Sequence, residues 1–212
     1  MPGHFEPAPG GGATIALDDV EVSILRSLAV QLMELIGPGD EPVEGEDPLA
    51  ALFAEGPSEA PSDPALARLF PDAYRDPAAV AGAKSAAEEE ELRAASAEFR
   101  RFTENDLRAG KRQNAFAMVR ALDSLDAAGE AGAVLVLTPD DARCWLGTLN
   151  DLRLTIGTRL EIAEDDQGGA GDEGDPTGGL YRLPDSDPRK PMVMAYLWLG
   201  VLQETLVETL MG

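Results

Sequence analysis

Apolar residues recur every three or four positions through most of this chain, which is the spacing of amphipathic helices. The pattern is fullest in residues 133–162, where a β-branched run at 134–137 precedes a long apolar stripe. Thr138 stands between the two as a helix N-cap, with Pro139 at the first helical position and Asp141 three residues after the cap. The segment therefore predicts a short buried strand followed by a central core helix. The apolar stripe of that helix consists of Trp145, Leu149, Leu152, Ile156 and Leu160.

A second segment near the N-terminus repeats this design. Residues 14–17 form an apolar run, Asp18 is placed as an N-cap with Glu21 three residues later, and an apolar helix face continues to Gly37. Phe5 lies on the other side of a Gly-Gly-Gly loop, which predicts a hairpin. Because the two segments share the order strand, cap, acid and helix, we expect their strands to form one small sheet backed by two helices.

Two further long helices are predicted, and the Asp-Pro segments at 47–53 and 63–70 add short ones. Residues 86–125 form one long helical pattern that Gly110 could interrupt, with Phe99 and Phe102 among its apolar contacts. A last apolar helix begins near Pro191 and is expected to pack on the central helix. The fold class is therefore mainly α, a helical bundle of about five to six helices. It carries a small two- or three-stranded β element near the N-terminus and before the central helix.

The domain organisation follows from length and local composition. A chain of 212 residues suits one domain. Proline, glycine and acidic residues accumulate at about 38–62 and again at about 164–189. Such stretches lack the apolar surface that offsets ordering entropy. We therefore expect a single domain over 1–212 with mobile inserts at those two places.

The net charge of the chain limits the classes of molecule that it is expected to bind. The chain has 39 Asp and Glu against 17 Lys and Arg, a formal net charge of −22. A surface this acidic repels nucleic-acid phosphates, so direct binding of nucleic acid by the chain alone is not expected. We expect a protein partner instead, and the sequence also allows a homodimer.

The sequence predicts a cytoplasmic protein. Its N-terminus has neither the basic nor the apolar region of a signal peptide. The apolar stretch at 192–211 carries Gln203, Glu204 and Glu208, which favours a core helix over a membrane span. Cys144 is the only cysteine, so no internal disulfide can form, as in a reducing compartment. We therefore expect no membrane association.

The residues that most enzymes need are missing from this sequence. His4 is the only histidine and lies far from Cys144, which argues against a zinc site and against Cys-His or Ser-His catalysis. There is no glycine-rich phosphate-binding signature. We therefore expect no catalytic residues, no cofactor, no metal and no enzymatic activity.

Three groups of side chains remain as candidate sites. Arg101, Arg108 and Arg112 lie seven and four residues apart on one side of the long helix, and could contact an acidic partner or phosphates. A solvated face is the alternative interpretation of these arginines. A minor option is that they read DNA directly.

Asp151, Arg153 and Arg159 form the second group. Asp151 and Arg153 are two residues apart, so they point to different faces and each needs a partner elsewhere. We expect a structural polar core, and an enzymatic pocket is the alternative.

Cys144 is the third candidate, as a redox residue. A helix N-terminus and Arg143 favour its thiolate, while Asp140 and Asp141 oppose it. A buried, inert thiol is the alternative interpretation.

A short motif occurs twice in the chain. Residues 47–53, D-P-L-A-A-L-F, are similar to residues 63–70, D-P-A-L-A-R-L-F. We expect one copy to dock on the body of the protein, while the other could compete for the same groove. As docking peptides, these segments would suit an adaptor or scaffold for proteolysis or sulfur metabolism, which is the alternative function.

Four blocks of the sequence, at 63–74, 99–108, 145–160 and 196–207, form a combination of their own. The most specific parts are L-N-D-L-R and G-T-R-L within W-L-G-T-L-N-D-L-R-L-T-I-G-T-R-L at 145–160. Together these blocks resemble the actinobacterial AosR family of oxidative-stress regulators. The resemblance implies a cytosolic, non-enzymatic regulator that acts with the transcription machinery, either a sigma factor or RNA polymerase.

The same resemblance implies a redox switch built on two cysteines, and this chain lacks one of them. A described member of the family senses oxidation through a C-x-x-x-C disulfide and acts with an extracytoplasmic-function sigma factor on cysteine-biosynthesis genes. Here the positions four residues from Cys144 are Asp140 and Thr148. The intramolecular cysteine pair is therefore absent from this chain.

Overall fold

The N-terminal hairpin and the strand before the central helix form one antiparallel sheet. In the computed structural model, which describes residues 3–37, 55–74, 85–125, 132–162 and 182–212, strands β1 (Glu6–Ala8), β2 (Gly12–Leu17) and β3 (Ala133–Leu137) lie in the order β1-β2-β3. Gly10 and Gly11 make the tight turn with φ of 102° and 89°, which glycine adopts without a steric penalty. The predicted hairpin and the pairing of the two segments are confirmed.

Strand β3 corrects one expectation. The predicted buried strand is buried on one face only: Leu135 and Leu137 face the core, whereas Val134 and Val136 are 63% and 65% exposed. In an antiparallel sheet covered by helices on one side, alternate residues point away from the core. The sequence does not reveal this alternation, because the outward positions hold valine, which is apolar like the leucine at the inward positions.

Five helices are present in the described parts of the chain. They are α1 (Asp19–Ile36), α2 (Pro64–Leu69), α3 (Ala86–Asp123), α4 (Pro139–Arg159) and α5 (Lys190–Met211). The main expectation, a mostly helical bundle with a small three-stranded sheet, is confirmed.

Both predicted capping boxes form. The Asp18 side chain accepts a hydrogen bond from the Glu21 backbone N–H, and Glu21 Oε2 accepts one from the Asp18 N–H at 3.0 Å. Thr138 and Asp141 make the corresponding reciprocal pair at the start of α4. Each box satisfies backbone donors that the helix itself leaves free.

Helix α3 runs without a break through Gly110, so the interruption allowed at that residue does not occur. Nothing lies within 4 Å of the position that a Gly110 Cβ would take. The glycine is therefore neither a C-cap nor a close-packing position, and the helix continues because its inner face has partners on both sides of that residue.

Helix α4 lies at the centre of the fold and contacts the other four helices. Its predicted apolar stripe, Trp145 to Leu160, is buried at every position. Helix α5 packs along it as expected, and Gly157 lies under the Tyr196 ring, 3.3 Å from the nearest ring atom to a Cβ built there. No helix in the described ranges is apolar over enough length to cross a membrane.

Most of the two predicted inserts, 38–62 and 164–189, lies outside the described residues. The described ends, 55–62 and 182–189, form turns and bends that touch the helices. The Gly56 N–H donates to the Arg101 carbonyl at 2.7 Å, and Lys190 Nζ donates to the Leu183 carbonyl at 2.8 Å.

Candidate functional site

Cys144 is half-buried on the first turns of α4, with a free thiol. Its carbonyl accepts a hydrogen bond from Thr148 Oγ1 at 2.9 Å, and Thr148 is 1% exposed. On the other side, Asp140 is exposed and pairs with Arg143. Arg143 is therefore held by a carboxylate, and the two positions four residues from the thiol hold an acid and a buried hydroxyl.

Two of the three candidate contact arginines reach inward. Arg108 Nη1 donates to the Ile36 carbonyl at 2.5 Å, and Arg112 Nη1 donates to the Met33 and Gly37 carbonyls at 3.1 and 2.5 Å. These carbonyls lie at the C-terminal end of α1, where the helix dipole favours a nearby cation, and the Met33 carbonyl also accepts from the Gly37 N–H at 3.2 Å. Arg108 and Arg112 therefore hold α1 on α3. That a partner also contacts them stays a prediction.

Sequence reasoning missed a buried charge network beside these arginines. Arg100 and Glu104 are 4% and 1% exposed and pair with each other. Arg100 Nη2 also lies 2.9 Å from Asp72 Oδ1, and Arg108 Nη2 lies 2.8 Å from Glu104 Oε1. Burial works against the charge of Arg100, but Asp72 and Glu104 together raise its pKa above the ordinary value. The i, i+4 spacing of Arg100, Glu104 and Arg108 was a signal for this network, although spacing alone does not show burial.

Arg101, the third contact arginine, does not bind a carbonyl of α1, and its Nε lies 3.4 Å from Glu55 Oε2. It is adjacent to Phe102, which is 61% exposed, and its Cζ lies 4.9 Å from the centroid of that ring. One turn earlier, Phe99 is 44% exposed and packs edge-on against Tyr74 at 6.0 Å between ring centroids. We call Tyr74, Phe99, Arg101 and Phe102 the aromatic patch. Phe99 and Phe102 were expected to supply apolar contacts of α3. Phe99 contacts the Tyr74 ring, but both side chains are exposed, because the charge network occupies the inner face of α3 at this level.

The three residues of the second candidate group lie in different environments. They are Asp151, Arg153 and Arg159. Asp151 is 2% exposed and accepts from Lys111 Nζ at 2.6 Å, and burial raises its pKa although Lys111 opposes that shift. Arg153 donates to Gln203 Oε1 at 2.6 Å and stacks on Tyr196. Arg159 is exposed. The expectation that Asp151 and Arg153 find separate partners is confirmed.

Arg159 borders two hollows. One, of about 660 Å³, is lined mainly by aliphatic side chains of α1, α4 and α5. The other, of about 520 Å³, is bordered by Asp63, Glu161 and Arg189 as well. Asp63 Oδ1 accepts from the Ala65 N–H at 2.8 Å, and Arg189 lies 3.1 Å from Asp187 Oδ2. Neither hollow contains Asp151 or Arg153, so the structure does not bring the three residues together. Among the described residues, no cluster of three or more His, Cys, Asp or Glu could hold a metal ion.

Comparison with known proteins identifies the family. The model of the family described as "Domain of unknown function (DUF2017)" matches residues 2–210. The chain belongs to this family. Proteins called "Oxidative stress regulator AosR" from Mycobacterium tuberculosis and Mycobacterium bovis are 34% identical to it over 201 residues, which is 91% of this chain and 79% of theirs. A relative from Mycobacterium leprae is 31% identical over 201 residues. No solved structure matches the chain significantly.

The DUF2017 assignment confirms the resemblance on which the sequence-based interpretation drew. It covers α1 to α5 and the sheet, and therefore also the charge network and the aromatic patch. The family description gives no activity, and the mycobacterial relatives are named as regulators.

Proposed function

We propose that this chain is a non-enzymatic regulatory protein of the oxidative-stress response. It acts by binding a protein of the transcription machinery, a sigma factor or RNA polymerase, through the aromatic patch. The regulatory role is supported by the mycobacterial relatives named as oxidative stress regulators. The choice of a sigma factor or polymerase comes from the family resemblance.

The exposed aromatic side chains on α3 carry the proposal of a protein contact. The chain has only six phenylalanines, and three of them, Phe99, Phe102 and Phe116, are at least 44% exposed on this one helix. Aromatic residues and arginine are enriched at the centres of protein interfaces, where they supply most of the binding energy. Arg101 beside Phe102 and Phe99 beside Tyr74 form such a group, so we place the contact there and not at Phe116, which lies apart from the patch.

The inner charges support action without catalysis. Arg100, Glu104, Lys111 and Asp151 are each bound to a partner inside the fold. These contacts stabilise helix packing, and none of the four residues lines either hollow beside Arg159. The docked copy of the repeated motif, with Phe70 buried, likewise gives the adaptor alternative no free peptide at that position.

The single cysteine restricts how the chain could respond to oxidation. With Cys144 alone, no intramolecular disulfide can form. We therefore propose that partner binding through the aromatic patch does not depend on an internal thiol switch. Oxidation would act on the partner or through an intermolecular bond.

Affinity purification tests the proposal. The tagged chain is incubated with extract from oxidant-treated mycobacterial cells, and bound proteins are identified by mass spectrometry. We expect a sigma factor or a polymerase subunit with the wild-type chain and with Phe116→Ala, and loss of that protein with Phe102→Ala. Recovery of neither a sigma factor nor polymerase would count against the proposal.

A further inference from the structure

The repeated motif is longer than its Asp-Pro start suggests. Aligned on their phenylalanines, residues 49–55 read L-A-A-L-F-A-E and residues 66–72 read L-A-R-L-F-P-D. The two segments share two leucines, an alanine, the phenylalanine and an acid two residues after it. The shared positions include the residues that dock the second copy, since Leu69 and Phe70 are 4% and 2% exposed.

The docked copy lies in a cradle between α4 and α3: helix α2 packs on α4, and the residues that follow it contact side chains of α3. The Phe70 ring faces Arg108, whose Cζ is 4.5 Å from the ring centroid, and Lys111 Nζ lies at 6.0 Å. Arg100 Nη2 donates to the Phe70 carbonyl and to Asp72 Oδ1, each at 2.9 Å. The ring thus lies at the Arg108 end of the cradle, and the acid lies at the Arg100 end.

The end of the other copy is also held on α3, one residue along the helix from Arg100. Glu55, its acid, lies 3.4 Å from Arg101 Nε, an ion-pair distance without hydrogen-bond geometry. The next residue, Gly56, donates its N–H to the Arg101 carbonyl at 2.7 Å, and a Cβ there would lie 3.2 Å from that oxygen. The acids of the two copies therefore lie on adjacent arginines of one helix.

The N-terminal end of the connecting segment is also beside the cradle. Arg108, which faces the Phe70 ring, donates to the Ile36 carbonyl, and Arg112 donates to the Gly37 carbonyl. The chain between residues 37 and 55 therefore begins and ends next to the Phe70 cradle. A segment tethered this way has a high effective concentration at the site, of the order of millimolar for short flexible linkers.

We propose that the cradle between α4 and α3 is a binding site for peptides of the pattern L-A-x-L-F-x-acid, and that residues 49–55 are its second ligand within this chain. Phe53 takes the place of Phe70 against Arg108, and Glu55 moves from Arg101 to the Arg100 position. The span from phenylalanine to acid is the same in both copies, so one cradle fits either.

The two ligands are unequal, which explains why residues 66–72 occupy the cradle in this structure. Ala65, 2% exposed, adds to the docked copy, and the first copy has Pro48 at the matching position. Asp63 lies three residues before Leu66 and caps α2, whereas Asp47 lies two residues before Leu49. The first copy therefore binds more weakly and fills the cradle when residues 66–72 leave.

Exchange would also change the aromatic patch. Tyr74 follows Asp72 by two residues and packs on Phe99, so departure of 66–72 takes Tyr74 away from that ring. This consequence rests on the proposed function. The exchange itself does not, and its tests measure only stability and peptide binding.

A double-mutant cycle tests the exchange in the full chain. Phe53→Ala is measured in the wild type and in Phe70→Ala by thermal unfolding, with Phe70→Leu as the background if Phe70→Ala does not fold. We expect Phe53→Ala to lower Tm by less than about 1 °C in the wild type and by about 4 °C or more in the Phe70 variant, where Phe53 fills the cradle. The control Phe116→Ala should shift Tm equally in both backgrounds. Equal effects of Phe53→Ala in both backgrounds would overturn the proposal.

Peptide binding gives a second, independent measurement. A fluorescent peptide of residues 47–55 is titrated into the full chain carrying Phe53→Ala together with the Phe70 substitution that folds. We expect binding at least about tenfold tighter than for the same peptide with alanine at position 53, since a lost buried aromatic ring costs more than the 1.4 kcal/mol of a tenfold change. Equal binding of the two peptides would exclude a phenylalanine-specific cradle.

Discussion

Glu104 is enclosed between two guanidinium groups on its own helix. It pairs with Arg100 one turn before it and Arg108 one turn after it, and it is 1% exposed. Both arginines also bind backbone carbonyls of other segments, the Phe70 carbonyl and the Ile36 carbonyl. Glu104 therefore bridges the two cations that bind α1 and the Phe70 carbonyl, and Asp72 supplies a second negative charge beside Arg100.

Loss of the Glu104 charge should therefore destabilise the protein strongly. Glu104→Gln leaves Arg100 and Arg108 close together with one carboxylate fewer, and breaking a buried pair costs about 3–5 kcal/mol. The free energy of unfolding in urea measures the effect. Glu90→Gln is the matched control, because Glu90 pairs with Arg93 on the exposed face of the same helix. It should change stability by less than about 0.5 kcal/mol. A similar small effect of Glu104→Gln would show that the network is not important for stability.

The raised pKa of Asp151 leads to a prediction about how folding stability depends on pH. Burial raises its pKa, with Lys111 opposing, so the folded state holds the Asp151 proton to higher pH than the unfolded chain does. Ionisation of Asp151 therefore disfavours the folded state. The contribution of this group is fully present below the unfolded pKa of about 4 and is lost as pH rises through the folded value.

Urea unfolding of wild type and Asp151→Asn between pH 3.5 and about 7 checks this sign. The amide of the variant does not titrate, so the difference between the two proteins isolates the carboxyl group. We expect the unfolding free energy of the wild type, relative to Asp151→Asn, to fall as pH rises above about 4. A relative stability that rises with pH would mean that Lys111 lowers the pKa more than burial raises it.

At the scale of the elements, local signals were sufficient for helix starts but not for helix faces. Asp18 with Glu21 and Thr138 with Asp141 predicted two helix starts and two strand ends, because a capping box depends on residues three apart. For α3, the prediction named Phe99 and Phe102 among the apolar contacts and did not anticipate the burial of Arg100 and Glu104. Arg100 and Glu104 are buried and Phe99 and Phe102 are exposed, which depends on Phe70, Asp72 and α1 arriving from elsewhere in the chain.

For the candidate site, the sequence predicted which residues lie on the same helix but not which groups they contact. Arg101, Arg108 and Arg112 were correctly grouped on one helix, but spacing cannot show that two of them donate to the C-terminal carbonyls of α1. The separate partners of Asp151 and Arg153 followed from helix geometry alone.

The continuity of α3 can be tested with its glycine. Gly110→Ala should raise the free energy of unfolding by about 0.5–1 kcal/mol, since alanine favours helix and nothing obstructs its methyl group. Gly56→Ala is the contrasting variant, because its Cβ would lie 3.1 Å from Asn105 Oδ1 and 3.2 Å from the Arg101 carbonyl oxygen. That variant should lower Tm. Destabilisation by Gly110→Ala would indicate that α3 bends or breaks there after all.

At the scale of the whole molecule, the residues that pack the core and the residues proposed to contact a partner lie in different places. Helix α4 contacts the other four described helices and carries the buried stripe, while α3 buries Arg100 and Glu104 and exposes its phenylalanine rings. In a chain of net charge −22, the exposed rings beside the Arg101–Glu55 ion pair make this patch unlike the average acidic surface. Such a patch suits a partner that the rest of the surface would not attract.

Partner binding is expected to be independent of Cys144. The thiol lies on α4, whereas the aromatic patch is formed by α3 and Tyr74, and the chain has no second cysteine. Cys144→Ser should therefore leave the affinity for the partner unchanged, before and after peroxide treatment of the chain. If peroxide changes the affinity of the wild type but not of Cys144→Ser, a single thiol acts as the sensor.

The most direct test of the account is calorimetric titration of the purified sigma factor or polymerase subunit with three proteins: wild type, Phe102→Ala and Phe116→Ala. Both rings are at least half exposed, and they lie 14 residues apart on the same helix, about 21 Å along its axis. We predict that Phe102→Ala weakens binding at least about tenfold, as expected at the centre of an interface, and that Phe116→Ala binds like the wild type. Equal affinity of all three proteins, or an equal loss in both variants, would contradict the placement of the contact on the aromatic patch.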